Sequence, residues 1–424
     1  MLLSLTAEAQ PIVEFDTLGL GWSKTSVNTA AFRKNSIASY HGVQYASYYD
    51  TAGYVVLAGR RNYGEWEVRR TNLKGNVNDA HNSISIMVDG SGFLHMAWDH
   101  HNTGLKYCRS KSPESLELSE PMSMIGRNED RVTYPEFHRM PNGDLIFLYR
   151  DGESGRGNLV MNRYDIQSMQ WRRVQDNLID GENERNAYWQ AFVSSRGTIH
   201  ISWVWREGPD VATNHDMCYA RSRDGGLTWE KANGKNYTLP IRAGNADYAR
   251  RIPQDSDLMN QTSMTATADD KPFIATYWRE LGTTVPQFFL IWYNGRRWKE
   301  QQVSQRTQPF SLKGGGTKSV PISRPQVSVG RISRFIMVQV WYRDDERGYM
   351  MTTAGTTIRR GAFAPWSYSD DFATKGSAWE PTYDIQLMNE KGYISIFLQD
   401  VGQGDGEKLA DKKPTPVVIL TYRR

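Results

Sequence analysis

The chain has 424 residues, a net charge of +4, 23% charged and 12% aromatic side chains, and 36 glycines. That length can bury a large core, as one domain or as several smaller ones. The small net charge gives no case for nucleic acid, no apolar run approaches the roughly 18 residues of a membrane helix, and no polar low-complexity tract points to disorder.

Residues 1–10, Met1-Leu-Leu-Ser-Leu-Thr-Ala-Glu-Ala-Gln10, join a short apolar piece to the small-x-small string Ala7-Glu8-Ala9. They read as the remnant of a clipped secretory signal, which implies an exported, periplasmic or extracellular protein. The rest, 11–424, shows one phrase over and over: a turn with Gly or Asp, an alternating apolar strand, then an aromatic residue followed by a polar one. In chain order the copies are Val43-Gln-Tyr-Ala-Ser-Tyr-Tyr49-Asp50, Asp89-Gly-Ser-Gly-Phe-Leu-His-Met-Ala-Trp98-Asp99, Pro141-Asn-Gly-Asp-Leu-Ile-Phe-Leu-Tyr149-Arg150 and Arg196-Gly-Thr-Ile-His-Ile-Ser-Trp203-Val-Trp205-Arg206. They continue as Asp270-Lys-Pro-Phe-Ile-Ala-Thr-Tyr-Trp278-Arg279 and, as weaker copies, Arg334-Phe-Ile-Met-Val-Gln-Val-Trp341-Tyr342-Arg343 and Lys391-Gly-Tyr-Ile-Ser-Ile-Phe397. Seven copies at a mean spacing of roughly 60 residues, almost without helical periodicity, predict an all-β chain. The expected architecture is a single seven-bladed β-propeller of four-stranded antiparallel blades, closed by a blade shared between the termini. Ser222-Arg-Asp224-Gly-Gly226-Leu-Thr228-Trp229 is an Asp box, a hairpin motif of sialidase-like propellers that speaks to fold and not to catalysis.

Equivalent strand ends of a propeller open on one face. The polar residues ending the phrases therefore converge, and Arg150, Arg206, Arg279 and Arg343 make a rim of guanidinium forks suited to a carboxylate-bearing or sulfated ligand. Against this stands the plainer reading that each Arg pairs with a carboxylate of the next blade.

Five of the eight histidines fall between 81 and 138. His95 and His200 lie inside strand phrases at matching places and read as packed core residues. His81 precedes the strand Ser83-Ile-Ser-Ile-Met87, and His100 and His101 close the next one. Side chains alternate along a strand, so only one of the adjacent pair can face the channel. His215 and Cys218 have the H-x-x-C spacing of metal ligands, but a closed zinc site needs four ligands and no His or Cys follows. The second cysteine, Cys108, brings the count to two, too few for a disulfide framework. No cofactor is expected.

Taken together, Asp79-Ala-His-Asn-Ser-Ile, Leu94-His-Met-Ala-Trp-Asp-His-His, Val132-Thr-Tyr-Pro-Glu-Phe, Tyr188-Trp-Gln-Ala, Trp203-Val-Trp-Arg-Glu and Asn214-His-Asp-Met-Cys resemble a known group. It is the BNR-repeat propellers that include the α-L-rhamnosidases of glycoside hydrolase family 145, the L-rhamnose-α-1,4-D-glucuronate lyases and the ulvan lyases. The resemblance implies a seven-bladed propeller. In the lyase members two histidines, a tyrosine and an arginine form the site, which by motif maps to His81, His101, Tyr188 and Arg206. In the rhamnosidases, which the chain resembles more closely over its whole length, activity rests on one histidine of the opposite face, which maps to His41. Both imply the same substrate, L-rhamnose α-1,4-linked to glucuronic acid, as in arabinogalactan caps, acted on by a monomer.

Histidine-based hydrolysis is the preferred expectation, since no phrase advertises the carboxylate pair of an ordinary glycosidase. β-Elimination is the alternative, and a non-catalytic glycan-binding propeller the third reading. A true sialidase is disfavoured because its Arg-Ile-Pro string, here Arg251-Ile-Pro253, sits mid-chain.

Overall fold

Seven antiparallel sheets stand around a channel in the computed structural model, which describes residues 12–30, 32, 35–332, 335–347, 351–359, 362–372 and 379–423. The supposed signal remnant, 1–10, lies outside the described residues. Each phrase of the sequence is the second strand of one sheet: Val43–Tyr49, Leu94–Trp98, Leu145–Glu153, Ile199–Arg206, Pro272–Trp278, Phe335–Arg343 and Ile394–Gln399. We number the blades 1 to 7 in that order. The strand before each phrase is the innermost, and neighbouring innermost strands pack against one another, for example Ile84–Val88 against Val132–Arg139. The last blade closes as expected from the termini: Ile12–Gly21 pairs antiparallel with Thr415–Arg423.

The repeat is edited in three blades. Blade 2 has three strands, and its outer edge shrinks to a segment held by Ser119 N–H on Arg109 C=O (2.7 Å) and Met122 N–H on Tyr107 C=O (2.9 Å). Blade 3 gains a fifth strand, His101–Thr103, lent by the chain leaving blade 2. In blade 6 both Ala362–Phe363 and Ser367–Phe372 pair with Met351–Arg359. The one α-helix among the described residues, Ile385–Lys391, is capped by Asp384 and ends on Gly392 at φ 71°. No described helix is long and apolar enough to cross a membrane.

The core lies between successive sheets, since each sheet buries both faces. His95 and His200 confirm their structural role: each ring is fully buried and its Nδ1 meets a tyrosine hydroxyl at 2.7 Å, Tyr107 and Tyr219 respectively. Asp89 faces the Nε2 of His95 at 3.1 Å, and Asp270 that of His200 at 3.6 Å. In the Asp box, Asp224 accepts from the Thr228 amide (2.9 Å) and hydroxyl (2.6 Å), and Ser222 Oγ accepts from Gly226 N–H. Gly226 sits at φ 97°, where a side chain would be strained. This turn drives Trp229 into the core, 1% exposed, with its indole N–H on the Gly226 carbonyl. Trp229→Ala is expected to destabilise the fold by about 3–5 kcal/mol, the cost of an unfilled indole cavity. A denaturant titration measures it.

Candidate active site

The innermost strands begin on one face and end on the other, and this decides where each candidate residue sits. His81 precedes the first strand of blade 2, and the arginines end second strands, so they share a face. His41 follows Ile37–Tyr40 and lies on the opposite one.

On the first face the chain Asn78-Asp79-Ala80-His81 makes a tight turn. Asp79 Oδ1 accepts from the His81 amide (2.9 Å), which fixes the carboxylate next to the ring. The same Oδ1 meets His81 Nδ1 at 2.7 Å, while Oδ2 meets His101 Nδ1 at 2.6 Å. One carboxylate thus holds two imidazoles, which stack with centroids 4.1 Å apart and planes 17° apart. His101 reaches this position because Asp99 adopts φ 65° and turns the chain, and because His101–Thr103 docks on blade 3. The doublet separates as strand alternation requires. His100 is fully buried, its Nδ1 3.3 Å from Thr103 Oγ1 and its Nε2 3.2 Å from the Lys106 carbonyl, and burial pushes its pKa down to about 4.

The aromatic floor comes from Phe32, Tyr134 and Tyr188. Tyr134 lies 5.9 Å from the His81 ring and 5.7 Å from that of Tyr188. Tyr134-Pro135 interrupts the innermost strand of blade 3, where the register slips between Thr133 and Glu136 and Tyr134 takes φ 58°. The Tyr188 hydroxyl meets Ser154 Oγ at 3.0 Å and accepts from Arg150 Nη1 at 3.4 Å; Arg206 lies over its ring at 5.1 Å.

The four rim arginines divide into two kinds. Arg279 pairs with Asp257 (3.0 Å) and Arg343 with Asp345, each also holding loop carbonyls. Their guanidinium groups are committed locally. Arg150 and Arg206 form no ion pair with a carboxylate among the described residues. Arg206 gives Nε to Gly208 C=O (2.9 Å) and Nη2 to Pro209 C=O, leaving Nη1 for another partner. Arg150 is 2% and Arg206 7% exposed, and a buried guanidinium without a counter-ion is costly. A cleft of about 500 Å³, open solvent included, lies beside Arg206 and is lined also by Phe32, His81, Tyr134, Arg324 and Trp379. Arg324 there is neutralised by Glu380 at 2.8 Å.

These charges set the protonation of the site. Burial opposes charge on His81, but Asp79 and Glu407 outweigh it and raise its pKa to about 9. His101 is moved the other way, by burial first and by the neighbouring His81, with Asp79 resisting. Burial would raise Tyr188, yet Arg206 and Arg150 bring it down to about 7. Burial also opposes ionisation of Asp79, but the two imidazoles hold it far below the usual carboxylate range.

Asp79, His81 and His101 are the only three potential metal ligands drawn together among the described residues. Their Nδ1–oxygen separations are hydrogen-bond lengths, and both Nδ1 atoms are spent on Asp79, so the cluster is built as a hydrogen-bonded pair of rings rather than as an ion cage. His215 and Cys218 do not join such a group: the His215 nitrogens face Asp216 (3.2 Å) and Glu207 (3.4 Å), and burial pushes the Cys218 thiol well up. Cys108 and Cys218 are both free.

His41 occupies a turn at φ 46°, exposed, its ring stacked on Tyr40 at 3.9 Å. It makes no hydrogen bond or ion pair among the described residues. A cavity of about 920 Å³, open solvent included, on that face is lined by His138, Arg139, Ser194, Asn389 and Glu390, and not by His41.

Asp79 was open to detection from its place two residues before His81, and Tyr134 from a Tyr-Pro within a strand pattern. Glu407, whose Oε1 lies 3.3 Å from His81 Nδ1, carried no local signal.

Comparison with known proteins agrees with the propeller fold. The crystal structure of polysaccharide lyase Uly1 superposes with a TM-score of 0.67 at 16% identity, over 92% of this chain and 89% of that one. A PL25 ulvan lyase bound to -[GlcA(1-4)Rha3S]- gives 0.67 at 14%, over 92% and 96%. At these identities the likeness establishes the fold. The short isoform of ulvan lyase from Alteromonas sp. (strain LOR) is 24% identical over 233 residues, 41% of this chain and 43% of the relative. The long isoform from Alteromonas sp is 23% identical over 240 residues, 44% and 24%. The chain therefore spans less than half the length of the curated relatives it matches. Residues 43–306, more than half of the chain, match the BNR repeat-containing family, and the protein belongs to that family.

Proposed function

We propose that this protein is a polysaccharide lyase that breaks the C4–O4 bond of a glucuronate carrying rhamnose on O4, by β-elimination. The observation that carries the reading is Arg206, buried beside the cleft without a carboxylate partner and next to two stacked imidazoles of unequal charge. A substrate carboxylate supplies the direct ion pair that Arg206 makes with no described residue, in addition to its attraction to Asp210 and Tyr188. Paired with Arg206, above Arg150 and Tyr188, it becomes a better electron sink and the C5 proton becomes more acidic. His101, neutral and giving its Nδ1 proton to Asp79, has a free Nε2 lone pair to take that proton. The C4–O4 bond breaks as the C4=C5 double bond forms, and His81, as imidazolium, delivers a proton from Nε2 to the departing O4. In glucuronate H5 and O4 leave from the same side of the ring, so acid and base belong side by side, as the 4.1 Å stack places them. Tyr188, 2% exposed, lies under the arginines and holds them rather than meeting the sugar.

The linkage is the one that the sequence resemblance implies, and the oligosaccharide named in the PL25 structure joins the same two kinds of sugar in the other order, glucuronate (1-4) to a sulfated rhamnose. Elimination displaces hydrolysis at His41 as the favoured chemistry, because His41 stands exposed on a turn without acid or base partners. The test is mass spectrometry of products from a rhamnose-glucuronate oligosaccharide: elimination gives a uronate fragment lighter by one water than hydrolysis does.

The pH dependence follows with its sign. His101 must be neutral, so kcat/KM rises as pH climbs through its depressed pKa, below the ordinary 6.5 or so. His81 must be protonated, so kcat/KM falls as pH rises through about 9. The two rings share Asp79, so these limbs belong to the pair. Initial rates across pH 5 to 10, roughly spanning both limbs, check the shape.

A further inference from the structure

The connection between the second and third strands of blade 7, residues 400–414, crosses the active face and carries Glu407 to the histidines. Its Oε2 accepts from Ala80 N–H at 3.0 Å, and its Oε1 accepts from Thr317 N–H at 2.6 Å and faces His81 Nδ1 at 3.3 Å. The residue is held at φ 65°. Two further bonds pin the same loop: Gly406 N–H on Thr317 C=O (2.9 Å) and Ser319 N–H on Asp405 Oδ1 (2.7 Å). The carboxylate is therefore aimed at one imidazole by three separate parts of the chain, 78–82, 317–319 and 405–407.

We propose that Glu407 is a positioning residue of the reaction centre, which joins Asp79 on His81 alone and so makes the two stacked rings unequal, His81 the proton donor and His101 the acceptor. His81 has two carboxylates on one nitrogen, and His101 has half of one. The remaining groups around His81 favour the same division. His101 faces it from the strand His101–Thr103 and Tyr134 from blade 3. Phe32, with Arg324 above it, closes another side, and Arg206 and Lys318 line the same cleft. Tyr188 feels the His81 charge, and Arg150 that of His101. The cations repel a second proton on the pair, Asp79 attracts one at either ring, and Glu407 attracts one at His81 alone. The ordering of acid and base thus comes from a loop more than 300 residues away in sequence, whose contact the first blades cannot supply.

This inference rests on the lyase reading for its consequence but not for its test. The imidazole resonances of histidine-labelled full-length protein are titrated by NMR, alongside the pH profile of elimination. In wild type His81 is expected to titrate near 9. In Glu407→Gln its proton affinity is expected to fall tenfold or more, and the alkaline limb of kcat/KM to move down with it. Asp405→Asn, which removes a charge from the same loop, keeps an Oδ1 acceptor for Ser319 N–H and does not touch His81, is expected to leave both in place. An unchanged His81 titration in a folded Glu407→Gln protein overturns the proposal, as does an equal change in Asp405→Asn. If no unsaturated product forms from any substrate, the lyase reading fails, while the NMR titration still decides whether Glu407 sets the charge of His81.

Discussion

His101→Ala is expected to lower kcat by about 10²–10⁴-fold, the range for loss of a positioned general base. His101 is half-exposed on the active face, and its role ends at a hydrogen bond and a stack, so the substitution removes a reacting group at small structural cost. The adjacent residue makes the contrast. His100→Ala empties a fully buried site and removes contacts to Thr103 and to the Lys106 carbonyl. Its cost, about 2–4 kcal/mol, falls on stability. Steady-state kinetics with chemical denaturation separates the two: His101→Ala reads in kcat and His100→Ala in the denaturation midpoint.

Arg206→Ala is the second large effect, with kcat/KM expected to fall by about 10²–10³-fold, as for removal of a charge-stabilising donor. The guanidinium also braces the loop through the Gly208 and Pro209 carbonyls, so some of the loss comes from loosened positioning. Arg206→Lys discriminates. It keeps the charge and loses the fork, and it is expected to recover part of the rate but not the fit to a planar carboxylate. Arg279→Ala, by contrast, breaks an ion pair with Asp257 and is expected to act through the rim loops it holds. Binding of a uronate glycan beside that of its reduced-carboxyl analogue, which cannot eliminate, measures the carboxylate-specific part.

The fold was legible because a propeller repeats one local phrase, and every copy from Val43–Tyr49 to Ile394–Gln399 took the same place in its sheet. The edits were not legible. Moving His101–Thr103 to blade 3 depends on Asp99 at φ 65°, a backbone choice that a propensity argument does not see. The site was partly legible for the same reason. Strand alternation separated His100 from His101, and motif spacing paired His101 with His81. Common strand ends put Arg150 and Arg206 on one face, but could not tell them from Arg279 and Arg343, whose carboxylates come from loops. Asp79 was in plain view without an assigned role. Glu407 was invisible, because a contact between the last loop and the second blade exists only once the ring has closed.

The central claim, elimination at the His81–His101 pair, is tested most directly by the near-ultraviolet absorbance of an unsaturated uronate. The progress curve is followed on a glycan with rhamnose on O4 of glucuronate. The account predicts an absorbance rise in step with bond cleavage, lost in His101→Ala and retained in His41→Ala. A silent trace with free rhamnose released, and that release lost in His41→Ala, would contradict it and return the chemistry to the opposite face.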